Sequence, residues 1–146
     1  MKKIAMIFIL FMGSGCQKDE QTLPEIKEIP QDYIQSEDDV VDIQGEMTNL
    51  EVFYSFLNRV KQGQKSEIRV VTHTTEGAPM LHDLVFDGEN IQSTYDSTRD
   101  GFGYGSIEQS TCERVVEKVL GDQTEYVLEG CNNGDGEKTV LLVEKK

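Results

Sequence analysis

"MTNLEVFYSFLNRVKQGQKSEIRVVTHT" spans residues 47–74, and its hydrophobic period changes once, near Gly63. Before that glycine, Leu50, Phe53, Phe56, Leu57 and Val60 recur three and four residues apart, which puts them on one face of a helix. Thr48 with Glu51 three residues on has the form of a capping box. Lys61 falls in the last turn, and Gly63 stands where a left-handed C′ glycine closes a helix. The spacing predicts a helix over about Asn49–Gln62, its aromatic stripe forming a core face. Beyond Gly63 the period drops to two, and Glu67–Thr74 reads as a strand.

The same alternation continues downstream. Met80–Phe86 reads as a strand, Asp87-Gly88 as a tight hairpin turn, and Asn90–Asp96 as the returning strand. Thr98–Ser110 is glycine-rich and irregular, hence a loop. Cys112–Leu120, Glu125–Cys131 and Lys138–Val143 complete the strands, joined by Gly, Asp and Asn turns. One helix followed by about six short strands is an α+β pattern. The expected architecture is one helix packed on a meandering antiparallel sheet of about five to six strands.

Cys112 and Cys131 can be tested by register. A two-residue turn at Gly121-Asp122 sets Arg114 opposite Glu129, Val116 opposite Val127, Lys118 opposite Glu125, and Cys112 opposite Cys131. Val115 then meets Leu128, and Val119 lies near Tyr126, on the face that goes to the core. A Cys112–Cys131 disulfide is therefore expected. Counting from the turn puts the cysteines at a hydrogen-bonded pair, whereas cross-strand bridges favour the other kind, so a bulge or diagonal pairing is the alternative there. A zinc pair would need further ligands at metal-site spacing.

Upstream, "FILFMGSGCQKDE" (residues 8–20) is an oily run that stops at a cysteine and turns charged within two residues. Lys2 and Lys3 precede an apolar run from Ile4 to Met12, too short for the ~20 residues of a membrane span. Small residues Gly13 to Gly15 then lead to Cys16. The pattern reads as a signal peptide of the lipoprotein type, with Cys16 as the lipidation site, although Gly13 stands where leucine is usual. Acyl chains at ~0.8 kcal/mol per buried CH₂ would hold such a chain on a membrane. The expected organisation is 1–15 signal peptide, 16–39 lipidated flexible linker carrying Pro24 and Pro30, and 40–146 a single domain. Leu23, Ile26, Ile29, Tyr33 and Ile34 could alternatively dock a packed loop.

The chain of 146 residues carries a formal charge of −13. From Cys16 onward, 12 basic residues face 27 acidic ones, a charge of −15. Nucleic acid is excluded as a partner, since binding it requires a basic face. No catalytic constellation stands out, and no metal or cofactor is implied. His73 and His82, with Glu76 and Asp83, lack metal-site spacing, and two histidines on alternating strands are expected at the surface. "GFGYG" (101–105) neither follows a strand nor opens a helix, which rejects a dinucleotide fingerprint. "NNGDGEK" (132–138) resembles a calcium loop only loosely, since it lacks the spacing of the terminal bidentate glutamate of an EF-hand.

"TNL" (48–50), "IRVVTHTTEG" (68–77), "DLVFDG" (83–88) and "DSTRDGFG" (96–103), with the later "TC" and "EYVLEGC", resemble a family of small lipoproteins of spore-forming Gram-positive bacteria known only as a domain of unknown function. The resemblance covers about Asp39–Cys131. It implies a lipid anchor, a disulfide and a single domain, but no activity. The expected function is a membrane-anchored extracytoplasmic lipoprotein, a non-enzymatic binding or accessory module of the cell envelope. Its partners would be the membrane, through the lipid, and an envelope protein or peptide. The contact surface is expected at "TTEGAP" (74–79) and "STRDGFGYGS" (97–106), where Arg99, Phe102 and Tyr104 form an anchor cluster on glycine-hinged loops. The alternatives are a cell-envelope hydrolase using Glu76, Asp83 or Asp100, with a buried perturbed carboxylate as its signature, and an acidic surface that binds cations weakly.

Overall fold

The computed structural model describes residues 32–134 and 136–145. The elements in chain order are β1 (Val40–Ile43), β2 (Glu46–Thr48), α1 (Leu50–Lys61), β3 (Ser66–His73), β4 (Pro79–Phe86), β5 (Ile91–Asp96), β6 (Ile107–Cys112), β7 (Arg114–Leu120), β8 (Gln123–Glu129) and β9 (Lys138–Glu144). They form a six-stranded sheet of order β2-β1-β3-β4-β5-β6 and a three-stranded sheet of order β7-β8-β9. The α+β class holds. The single antiparallel meander does not, for three local reasons.

The first lies before the helix. β1 and β2 form a hairpin closed at Ile43↔Glu46 by Gln44 and Gly45. Both turn residues have positive φ, 53° and 91°, as a type I′ turn requires. Glutamine is an unusual first residue there, and the Asp42 carboxylate supports the turn by accepting the Gly45 amide at 2.8 Å. β1 then lies parallel to β3, Val40 beside Val70 and Ile43 beside His73. The helix supplies the crossover that parallel pairing needs.

The second is the helix start. Thr48 ends β2 opposite Val41 and does not cap. Asn49 is the N-cap, in the left-handed region at φ 58°, without a side-chain cap bond. Its Nδ2 donates instead to the Glu37 and Asp39 carbonyls at 2.7 and 2.9 Å. Asparagine tolerates this backbone better than most residues. The other end forms as expected: Gly63, at φ 67°, donates to Val60 O, and the Gln64 amide donates to Arg59 O. These are the two bonds of a Schellman motif.

The third is the stretch read as loop up to Ser110. Its second half is β6, paired with β5 from Asp96↔Ile107 to Ile91↔Cys112. The chain then changes sheet across the single residue Glu113. In the second sheet all the anticipated pairs are present: Arg114↔Glu129, Val115↔Leu128, Val116↔Val127 and Lys118↔Glu125. At the junction the Glu113 amide donates to Glu129 O, Gly130 takes φ 68°, and the Asn132 amide donates to Thr111 O. That one-residue break shifts the hydrogen-bonding phase, so the cysteines lie between bonded pairs. The Cys112–Cys131 disulfide closes there, Cα–Cα 3.9 Å, and ties the two sheets together. Two details of the hairpin differ from expectation. Lys118 pairs with Glu137 and, at 3.9 Å, with Glu129 rather than with Glu125. Val119 opposes Thr124 and is exposed, because it lies near the turn beyond the edge of the core.

One continuous core joins both sheets and the helix. Phe53, Phe56, Val70, Leu84, Ile91, Cys112, Tyr126 and Leu128 belong to it, and the Phe53 and Tyr126 rings meet edge to face at 5.0 Å. A smaller cluster of Val41, Val71 and Leu81 lies on the opposite face of the large sheet and is covered by Tyr33. Packing thus extends upstream of Val40: the Tyr33 hydroxyl donates to Asp39 Oδ2 at 2.6 Å and Asp39 is buried, while Ile34 is exposed. The signal and lipidation readings at residues 1–16 lie outside the described residues.

Candidate functional site

The register places three connections at one end of the large sheet: Gln44–Gly45 after β1, Thr74–Ala78 after β3, and Ser97–Ser106 after β5. From β1 to β6 this end is about 19 Å wide, four steps of inter-strand spacing. Both segments expected to make the contact surface are therefore neighbours in the fold.

The Thr74–Ala78 turn is self-satisfied. The Thr74 amide donates to Ala78 O, the Gly77 amide to Thr74 O, and the Ala78 amide to Thr74 Oγ1. Gly77 sits at φ 88°, where a side chain would be strained.

The Ser97–Ser106 loop is clamped at its base. The Ser97 amide donates to Ser106 O at 2.9 Å, and the Ser106 amide donates to Ser97 Oγ at 3.0 Å. Asp96 organises the entry: its Oδ1 accepts the Thr98 amide and hydroxyl at 2.9 and 2.6 Å, and its Oδ2 accepts Arg99 Nη1 at 2.6 Å. Burial opposes ionisation of Asp96, but the Thr98 donors and the Arg99 guanidinium outweigh it and hold the carboxyl below its usual range. Asp100 Oδ1 accepts the Phe102 amide at 3.0 Å.

The three residues expected to act together do not. Arg99 is largely buried in its ion pair with Asp96 and builds the loop rather than projecting from it. Phe102 and Tyr104 are 84% and 103% exposed. The glycines also differ from expectation. A Cβ on Gly105 would meet Thr98 Cα at 2.6 Å and Ser97 O at 2.8 Å, so the close approach it permits is within the loop. Only Gly101 among the three is unobstructed.

Two further apolar side chains share this end. Ile43 and Ile107 are exposed, Ile43 opposite His73 and Ile107 opposite Asp96. Neither could be placed from sequence, because one lies on an unanticipated strand and the other in a segment read as loop. Scattered single apolar residues on a surface are ordinary. Four stand at this sheet end, two of them aromatic and both on the Ser97–Ser106 loop.

The histidines separate in the fold. His82 is buried, which corrects the surface expectation. Its Nε2 lies 2.8 Å from Ser93 Oγ, and its ring meets Tyr95 edge to face. Burial pushes it down to about 4, with Lys138 adding in the same direction and Asp83 opposing. A buried strand position opposite Val70 explains the placement. His73 Nδ1 is buried without a hydrogen-bond partner among the described residues. No group of three or more His, Cys, Asp or Glu among the described residues could hold a metal. Asp83 accepts Arg69 through both oxygens, at 2.5 and 2.7 Å. Among the described residues, the acids whose titration is displaced, Asp87, Asp96 and Glu137, are displaced downward, toward the ionised form.

No helix among the described residues is long and apolar enough to cross a membrane. No curated protein and no solved structure matches the chain. Residues 37–127, from the turn before β1 into β8, match the family described as a domain of unknown function (DUF4362), and the chain belongs to that family.

Proposed function

We propose that this protein is a non-enzymatic accessory module of the bacterial cell envelope. It is held on the outer face of the cytoplasmic membrane through lipid on Cys16 and binds an envelope protein or peptide through the loop end of its large sheet. The observation that carries the reading is the presentation of Phe102 and Tyr104. Two nearly bare aromatic rings stand on a loop whose base is clamped by hydrogen bonds and an ion pair. A fixed loop loses little entropy on binding, and aromatic anchors supply most of the energy of small interfaces. The anchor is supported by the run from Lys2 to Cys16, and the disulfide suits an oxidising, exported setting. A formal charge of −15 beyond Cys16 keeps the domain away from an anionic bilayer surface, so a tether and a protein partner fit better than direct docking to lipid.

The test has two arms. Mass spectrometry of membrane fractions should find a chain beginning at acylated Cys16; a soluble exported chain unaffected by Cys16→Ala rejects the anchor. A photoreactive group at Phe102 or Tyr104 should crosslink one partner in intact cells, while the same group at Lys118 should not. Equal adducts at all three positions reject the surface.

A further inference from the structure

The hairpin of β5 and β6 has two unlike faces. Ile91, Ser93, Ser110 and Cys112 are buried toward the core, so the alternation of a strand turns Gln92, Thr94, Gln109 and Thr111 the other way. Register sets Thr94 opposite Gln109 and Gln92 opposite Thr111. The four positions mark a rectangle of about 5 Å by 7 Å. With Asn132 beyond β6, they line a pocket of about 380 Å³. That volume is within the ~300–1,000 Å³ range of small-molecule sites.

The pocket is held by bonds that use only part of each amide. Thr111 Oγ1 donates to Gln92 Oε1 at 2.8 Å. The Thr111 amide donates to Asn132 Oδ1 at 3.0 Å, and the Asn132 amide donates to Thr111 O at 2.9 Å. The Cys112–Cys131 disulfide ties together the residues that follow Thr111 and precede Asn132. Among the described residues, Gln92 Nε2, Asn132 Nδ2, the Gln109 side-chain amide and the Thr94 hydroxyl have no hydrogen-bond partner. Four polar groups thus stand ready on a rigid frame, which lowers the ordering cost of binding.

The lining selects the class of ligand. None of its residues is ionisable, in a chain of which 28% of the residues are charged. Asp83, opposite Thr94 on β4, is taken by Arg69 through both oxygens. A hard cation would find no carboxylate there, and an anion no cation. An added peptide strand is blocked at Thr111, whose outward N–H and C=O are both taken by Asn132. A nucleobase would find no aromatic ring to stack on. What matches is a neutral molecule of about one sugar ring, with hydroxyls that each donate and accept. Val85, opposite Gln92 and exposed, supplies an apolar neighbour for the C–H groups of such a ring.

We propose that this pocket binds a neutral saccharide unit, its hydroxyls bonded to Gln92 Nε2, Asn132 Nδ2, the Gln109 amide and the Thr94 hydroxyl. The site lies on the strands of the hairpin and uses neither Phe102 nor Tyr104, so it stands or falls separately from the loop surface.

The probes are glucose, N-acetylglucosamine, maltose and cellobiose, titrated into the full chain in detergent, with glucuronic acid as a charged counterpart. The side-chain amide resonances of Gln92, Gln109 and Asn132 should shift saturably with at least one neutral sugar and more weakly with glucuronic acid. Thr94→Val and Gln109→Met should each weaken the selected sugar by about fivefold or more. Their amide spectra away from the pocket verify that both variants are folded. Phe102→Ser should leave the affinity unchanged. Retention of the chain on insoluble amylose, cellulose or chitin would make a polymer the source of the unit, and binding of the soluble sugar alone would make it a free saccharide. No saturable shift with any neutral sugar, equal binding of glucuronic acid, undiminished binding by both variants, or shifts confined to residues 97–106 would overturn the proposal.

Discussion

Acid should destabilise this domain through His82, starting at a higher pH than the displaced carboxylates among the described residues begin to act. An ordinary histidine titrates near 6.5, and His82 in the fold near 4. The unfolded chain therefore takes up a proton as pH falls through 6.5, while the folded chain resists until about 4. Stability from this source is complete above 6.5, declines between 6.5 and 4, and is level below. One pH unit of displacement corresponds to about 1.36 kcal/mol. The loss is thus about 2 kcal/mol on going from pH 7.5 to 5, and about 3 kcal/mol in the limit. Against a total stability of ~5–15 kcal/mol this is readily measured. Asp87, Asp96 and Glu137 titrate below their ordinary ranges, so their contributions are lost at lower pH. The assay is urea unfolding followed by circular dichroism at several pH values between 7.5 and 4.5, for the natural chain and for His82→Gln. The variant starts less stable, because it disturbs the Ser93 contact, but its stability should fall less steeply with acid. Coincident slopes, or an imidazole resonance of His82 that titrates near 6.5, would refute the reasoning.

Two further outcomes follow from the packing. Replacing Cys112 and Cys131 together by serine should cost about 3 kcal/mol for a bridge between residues 19 apart in sequence; a loss under about 1 kcal/mol in urea unfolding would show that the sheet junction holds without it. Gly105→Ala should open the Ser97–Ser106 loop, because the new Cβ meets Thr98 backbone at 2.6 Å, at a cost of about 1–3 kcal/mol read as faster hydrogen exchange at Ser97 and Ser106. Gly101→Ala, with nothing within 4 Å of the new atom, should leave that exchange unchanged; equal effects would contradict the loop geometry.

The far-reaching local signals were in the sequence. The stripe from Leu50 to Val60 and Gly63 specify α1 and its Schellman closure, because both depend on neighbours three to five residues apart. The hairpin register around Gly121-Asp122 was legible for the same reason: a two-residue turn leaves only one pairing, and it brings Arg114 to Glu129. Exposure of Phe102 and Tyr104 agrees with a glycine-rich loop.

Tertiary structure decided the rest. Thr48 had the chemistry to cap α1, but pairing with Val41 took its backbone into β2, and Asn49 assumed the position. β1 and β2 are short, and β1 is placed in the sheet by pairing with the distant β3, so their own residues carry little signal; β6 follows a glycine-rich loop whose end the sequence does not mark. Arg99 looked available to a partner, yet the half-buried Asp96 three residues earlier claims it. His82 looked like a surface residue, and only its position opposite Val70 shows that the core encloses it. The division between two sheets turns on one residue, Glu113, and on the glycine opposite it. Sequence period reports which face a residue occupies; which sheet it joins, and what covers it, depends on contacts between residues far apart in the chain.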